Sequence, residues 1–162
     1  MPANDNENRC EAWKFILAGG ATYNNLDYSF TVVNEDGTYK IDEGTPGWGG
    51  PAFRKQLLVL KHFMEGFDFL RMKPLNEILK VSKGELSSFQ ILAEPGMQYA
   101  IYLEKAKDVE ITIEIPNGNY KAVWINPVTG NQAKEEQVVS KNNRLILTYP
   151  GSFDDIALML KK

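Results

Sequence analysis

The chain has 162 residues, 18 Lys+Arg against 21 Asp+Glu, and a formal net charge of -3. Its composition is 43% hydrophobic, with a mean hydropathy of -0.33 and a pI near 5.3. Those values exclude wholesale disorder and argue against a general nucleic-acid or anionic-membrane footprint. No apolar run approaches the ~18 residues that a membrane span needs.

The length allows one domain or two small ones, at roughly 100–200 residues each. A lone cysteine, Cys10, excludes an intrachain disulfide and a cysteine-based zinc site. A lone histidine, His62, means that any Ser–His–Asp triad, Cys–His pair or two-histidine metal site would have to use it. The opening residues Met1 to Asn8 have no basic region followed by an apolar core, so they read as an abrupt start rather than a signal peptide.

The first periodic segment runs from about Asn6 to Ala18. Trp13, Ile16 and Leu17 fall on one face, widened by Ala12 and Phe15. Asp5 or Asn6 suits the N-cap, and Gly19-Gly20 ends the helix. Ala21 to Gly50 then has almost no helical period. Tyr28 to Val33 reads as extended, Asn34-Glu35-Asp36-Gly37 as a turn, and Thr45 to Gly50 as a loop. A stretch this long without regular structure is uncommon unless it is functional or packed against something.

The second helix starts at Pro51, behind Gly50. Phe53, Leu57, Leu60, Met64 and Phe67 define its expected apolar face, and Gly66 its end. His62 falls on the polar flank, as an ordinary surface histidine. Pro74 marks a boundary. Beyond it, period-two alternation predicts strands at about 86–93, 98–104, 108–115, 119–126, 134–140, 143–149 and 155–161. On the fourth of these, Tyr120, Ala122 and Trp124 share a face, which is expected to be the core face.

Four pairs of neighbouring carboxylates (Glu35-Asp36, Asp42-Glu43, Glu135-Glu136 and Asp154-Asp155) could suggest acid–base chemistry. Neighbours on a strand point to opposite faces, and in loops they are solvated, so none reads as a catalytic pair. Asn34, Asp36, Gly37 and Glu43 match four positions of an EF-hand loop, but Val32 stands at its first position and no helix precedes it. No metal and no cofactor is expected.

The most unusual chemistry lies in Tyr23, Asn24, Asn25, Asp27 and Tyr28, with Trp48 close to the end of the loop. Aromatic faces stack on sugar C–H surfaces, while amides and carboxylates hydrogen-bond sugar hydroxyls. The same residues could instead fill a core under the loop and cap its turns. Both readings stay open at the level of sequence.

Those residues also carry a resemblance. Glu11 to Ala21, Tyr23 to Phe30 and Glu35 to Thr38, then Gly49-Gly50-Pro51 and Gly66 to Phe69, resemble the last segment of the apiosidase-like (β/α)₈-barrel family of bacterial glycoside-hydrolase-like proteins. Ala93 to Gly96, Tyr99 to Leu103, Gly118 to Tyr120, Trp124 and Asn126 to Gly130 resemble the appended domain labelled a collagen-binding domain of a collagenase. The resemblance implies a chain that corresponds to the C-terminal part of such proteins, secreted or periplasmic. The catalytic carboxylates would lie on earlier strands, so this chain would lack them. Val33-Asn34 stands where relatives commonly carry Gly-His.

The expected fold is α+β. Residues 1–74 form a helical segment with a long loop, and 75–162 an antiparallel β-sandwich of about seven strands. The expected function is a non-catalytic, carbohydrate-associated module. Alternatives are a protein-interaction module, collagen-binding by its label, or a domain that stabilises a barrel. Expected partners are a polysaccharide or glycan, a second copy, or a barrel domain, with no nucleic acid and no membrane.

Overall fold

The computed structural model describes residues 4–42 and 44–162. The order is α1 (Asp5–Leu17), α2 (Pro51–Glu65), β1 (Lys73–Pro74), β2 (Leu79–Glu94), β3 (Gln98–Glu114), β4 (Gly118–Ile125), β5 (Gln132–Ser140) and β6 (Arg144–Lys161). The fold is α+β, as expected. All pairings are antiparallel, and the sheet runs β1-β2-β3-β6-β4-β5.

Two pairs of expected strands prove continuous. Residues 98–104 and 108–115 fall on or beside β3, and 143–149 and 155–161 on or beside β6. β2 likewise starts earlier than its pattern suggested. The interruptions read in the sequence are bends within long strands. Register shifts fall between Val81 and Glu85 on β2 and between Lys107 and Val109 on β3. Lys105 and Asp108 have φ of 48° and 46°, the left-handed region that bulges use. Gly84 is required at the bend: its φ is +80°, and a Cβ there would lie 2.3 Å from the Asp108 carbonyl oxygen.

Bending at one level folds the sheet onto itself and gives the sandwich. Ile91, Tyr99, Ile101, Leu103, Leu158 and Leu160 from one half share a cluster with Val109, Ile111, Ile113, Leu145 and Leu147 from the other. Trp124 reaches across to Tyr149, with ring centroids 5.0 Å apart. Trp124, Tyr120 and Ala122 are all buried on one face, as the alternation requires.

The opposite face of the first half carries Leu92, Ala100, Tyr102 and Ala157, and the helices cover it. Trp13 stacks on Tyr102 at 5.3 Å and meets Phe63 at 4.9 Å. The order of layers is therefore helix, sheet, sheet. This explains why Ile91-Leu92-Ala93 and Tyr99 to Leu103 read as unbroken apolar runs, since both of their faces are buried.

Both helices sit rotated from the sequence expectation. On α2 the buried face is Phe53, Gln56, Leu60 and Phe63, continued by Phe67, while Leu57 and Met64 are half-buried. On α1, Arg9, Cys10, Ala12, Trp13 and Leu17 are buried and Phe15 is exposed. A polar network accounts for both shifts. Arg9 donates to both Asp155 oxygens at 2.8 and 3.0 Å and to Gln56 Oε1 at 2.7 Å. Tyr102 donates to Asp155 at 2.8 Å. Arg9 and Asp155 side chains are only 5% and 3% exposed. Apolar periodicity cannot see a face that contains a satisfied arginine and glutamine.

The N-cap of α1 is Asn4, whose side chain accepts from the Glu7 N–H at 2.9 Å. Tyr28 to Val33 forms no strand and lies within irregular backbone. Glu43, the twelfth position of the EF-hand pattern, lies outside the described residues.

Candidate functional site

The 18–50 segment is irregular but tightly held, and Asp27 is the centre of its anchoring. Gly50 precedes α2 and offers no side chain to cap it. Asp27 caps from a distance, accepting from the Gly50 N–H at 3.2 Å and adding a negative charge at the positive end of the helix dipole. It also accepts from the Ser29 N–H at 2.9 Å and from Arg54 at 2.7 Å. Burial works against the charge, but the hydrogen bonds from Ser29, Gly50 and Arg54 outweigh it. They hold Asp27 below the ordinary carboxylate value.

Arg54 ties the rest of the loop to the same point. It donates to Ser29 Oγ at 2.9 Å and to the Gly37 carbonyl at 2.9 Å, and its guanidinium lies 4.6 Å from the Phe30 ring centroid. Asn25 donates to the Trp48 carbonyl at 2.7 Å. Asn24 accepts from the Leu26 N–H at 2.8 Å in a local turn. Trp48 is half-buried, and its indole N–H donates to Asp5 at 2.8 Å. Asp5 also accepts from Gln56 at 3.1 Å, which joins the loop to the buried Arg9–Asp155 pair. The Tyr23 hydroxyl lies 3.2 Å from the Asn8 carbonyl and 3.1 Å from Glu11, and burial followed by the Glu11 charge pushes its pKa up.

The six candidates thus divide. Asn24, Asn25 and Asp27 hold backbone, and Tyr23 and Trp48 are packed against α1 through their polar tips. Tyr28 is 55% exposed. Its backbone is pinned, its N–H donating to the Gly47 carbonyl at 2.9 Å. Its ring lies so close over Gly47 (φ +81°) that a Cβ there would stand 2.2 Å from the ring. The base of the ring therefore packs on Gly47, while more than half of the residue is open to solvent. Phe30 and Tyr39 are also about half exposed on this loop.

Sequence reasoning missed Arg54, which organises the loop, and the Arg9–Asp155–Gln56 network beneath it. The proximity of Arg54 to a helix start was a signal, but its partners lie 17 to 27 residues away. His62 is exposed, as expected. Trp124 is fully buried and so is not a ligand-binding surface.

No protein-family model and no curated protein matches the chain. Solved structures that share its fold include two glycoside hydrolases. One is a glycoside hydrolase, at 17% identity and a TM-score of 0.66 over 99% of this chain. Another is a glycoside hydrolase family 5 protein from Bacteroides vulgatus, at 16% identity and a TM-score of 0.67 over 99% of this chain. The chain spans 37% and 36% of the lengths of those two structures. The arrangement of two helices on a folded-over sheet is therefore one that glycoside hydrolases contain. Among the described residues no helix is long and apolar enough to cross a membrane.

Proposed function

We propose that the chain is a non-catalytic, carbohydrate-associated module of a glycoside-hydrolase-like protein, close in kind to the C-terminal part of the apiosidase-like barrels. In this reading residues 1–74 belong to the barrel end and 75–162 to an accessory sandwich. The 18–50 loop presents Tyr28 as a stacking surface for a sugar ring. The observation that carries the reading is the Tyr28 ring, 55% exposed and packed at its base against Gly47. A ring held before binding loses little freedom on contact with a sugar. Asp27 is held in its charged form by three sets of donors, which suits a structural anchor rather than a proton donor.

Retention of the purified chain on a panel of insoluble and gel-embedded polysaccharides tests this. At least one glycan should retard it, and Tyr28→Ala should abolish the retardation without lowering the melting temperature. Retardation that is unchanged in Tyr28→Ala counts against the loop.

A second reading has its own observation. Val32 and Val33 are 94% and 85% exposed, beside Phe30 and Tyr39. Aliphatic tips like these add nothing to sugar stacking and suit a protein surface, either a barrel domain or a second copy.

A further inference from the structure

A concavity of about 840 Å³ lies at the opposite end of the sandwich from the helices. That size is within the ~300–1,000 Å³ of small-molecule sites. Three segments build it: the start of β2 (Lys80 to Ser82), the end of β3 (Thr112 and Glu114, continuing to Pro116), and the turn that enters β6 (Asn142 to Arg144). Its charged lining is Lys80, Arg144 and Glu114, one net positive charge on a chain whose formal net is -3.

The ion pairing inside the concavity is uneven. Arg144 sits directly across from Glu114 in the β3–β6 register, where opposite charges would ordinarily pair. Glu114 instead bonds Lys80 from the neighbouring strand at 2.6 Å. Arg144 is left with one long hydrogen bond, 3.3 Å to Thr112 Oγ1. Thr112 is itself 6% exposed and shares its hydroxyl with Ser82 at 2.6 Å. A guanidinium has five N–H donors in a planar fork that matches a carboxylate. Among the described residues no carboxylate pairs with that of Arg144.

The turn beside it is equally open. Asn142 and Asn143 both take left-handed φ, 55° and 57°, the backbone of a tight hairpin turn. The turn is held by backbone, through Lys141 and Arg144 and through the Asn143 N–H to Asn117 Oδ1 at 2.7 Å. The two side-chain amides are not used for this. They stand at the rim as donors and acceptors, with Val81 and Pro116 supplying apolar surface.

We infer that this concavity binds a carboxylate-bearing sugar, a uronate unit of a polysaccharide, with Arg144 on the carboxylate and Asn142 and Asn143 on ring hydroxyls. The chemistry needs all three parts: a cation with open donors, amides for hydroxyls, and an apolar surface for C–H groups. This site is separate from the loop that carries Tyr28 and does not depend on it.

The test is titration of the purified chain with oligogalacturonate, followed by calorimetry or by NMR of the backbone amides. Three comparison ligands are its fully methyl-esterified form, a neutral galactan oligosaccharide and poly-glutamate. Oligogalacturonate should bind and shift amides of 80–82 and 142–144. Loss of its charge by esterification should weaken binding about tenfold or more, as expected for a charge-assisted contact. Arg144→Gln should weaken it to a similar degree, and Tyr28→Ala should leave it unchanged. Arg144 is exposed, so Arg144→Gln should keep the melting temperature, and Asn142→Gly offers a second variant that suits the turn. No binding by ~1 mM, equal binding of the ester, or unchanged affinity in Arg144→Gln would each overturn the assignment. Equal binding of poly-glutamate would overturn its carbohydrate part.

Discussion

Asp27 shows how a residue that looks like a sugar ligand can be occupied by its own chain. Its two oxygens serve the Ser29 and Gly50 N–H groups and Arg54. Its lowered folded pKa means that its stabilising contribution is complete above the ordinary value of 3.8 and is lost as pH falls through the lower folded value. Urea midpoints measured at about pH 6 and about pH 3 should therefore fall less in Asp27→Asn than in the parent chain. An equal fall in both would place the acid sensitivity elsewhere. Trp124 is the other residue with a sharp expectation. It is fully buried across from Tyr149, and Trp124→Ala should cost ~3–5 kcal/mol in denaturant unfolding. A cost under about 1 kcal/mol would contradict its place in the core.

At the scale of elements, α1 is fixed to the sheet by an ion pair as well as by Trp13. Arg9 and Asp155 are both buried, and Asp155 also accepts from Tyr102. Removing one partner leaves an uncompensated buried charge, so Asp155→Asn should destabilise by ~3–5 kcal/mol. Adding Arg9→Met to it should recover part of the loss, as a double-mutant cycle by chemical denaturation would show. This pair also marks the limit of what was legible in the sequence. Period-two alternation found the strands and placed Tyr120, Ala122 and Trp124 inward correctly. It divided β3 and β6, because a bulge interrupts the alternation in the same way as a loop does. Helical periodicity found both helices and missed the turn of each face toward Gln56 and Arg9, whose burial depends on partners far along the chain. Of the loop, the sequence showed which chemistry is present. It did not show that Asn25 and Asp27 are half-buried and already bonded, since their partners, the Trp48 carbonyl, Gly50 and Arg54, lie more than twenty residues along the chain.

At the scale of the whole molecule, the helices and the first half of the sheet share one apolar cluster. A chain of residues 75–162 alone would uncover Leu92, Ala100, Tyr102 and Ala157. It should bind a hydrophobic dye and aggregate where the full chain does not, and a soluble, dye-silent fragment would show the sandwich to be self-sufficient. The outer side of the helical segment raises the opposite question. Phe15, Phe30, Val32, Val33, Phe69 and Leu70 are all exposed, and exposed apolar groups that gather into one patch mark an interaction surface. Light scattering at micromolar concentration should show mass that rises with concentration. A constant monomer mass would exclude self-association and leave this surface to a different partner.

The order β1-β2-β3-β6-β4-β5 gives the 18 residues of β6 an outsized part in biosynthesis. β6 is the last of the described strands to leave the ribosome, yet it sits in the middle, between β3 and β4. Until it emerges, β2–β3 and β4–β5 are two separate hairpins with unpaired inner edges, a state prone to wrong pairing. Assembly of the sheet is therefore held back until β6 has been made. Truncation before Ala157 would remove every residue of β6 that pairs with β4, leaving the two hairpins unjoined and the nascent chain a target of the quality-control machinery.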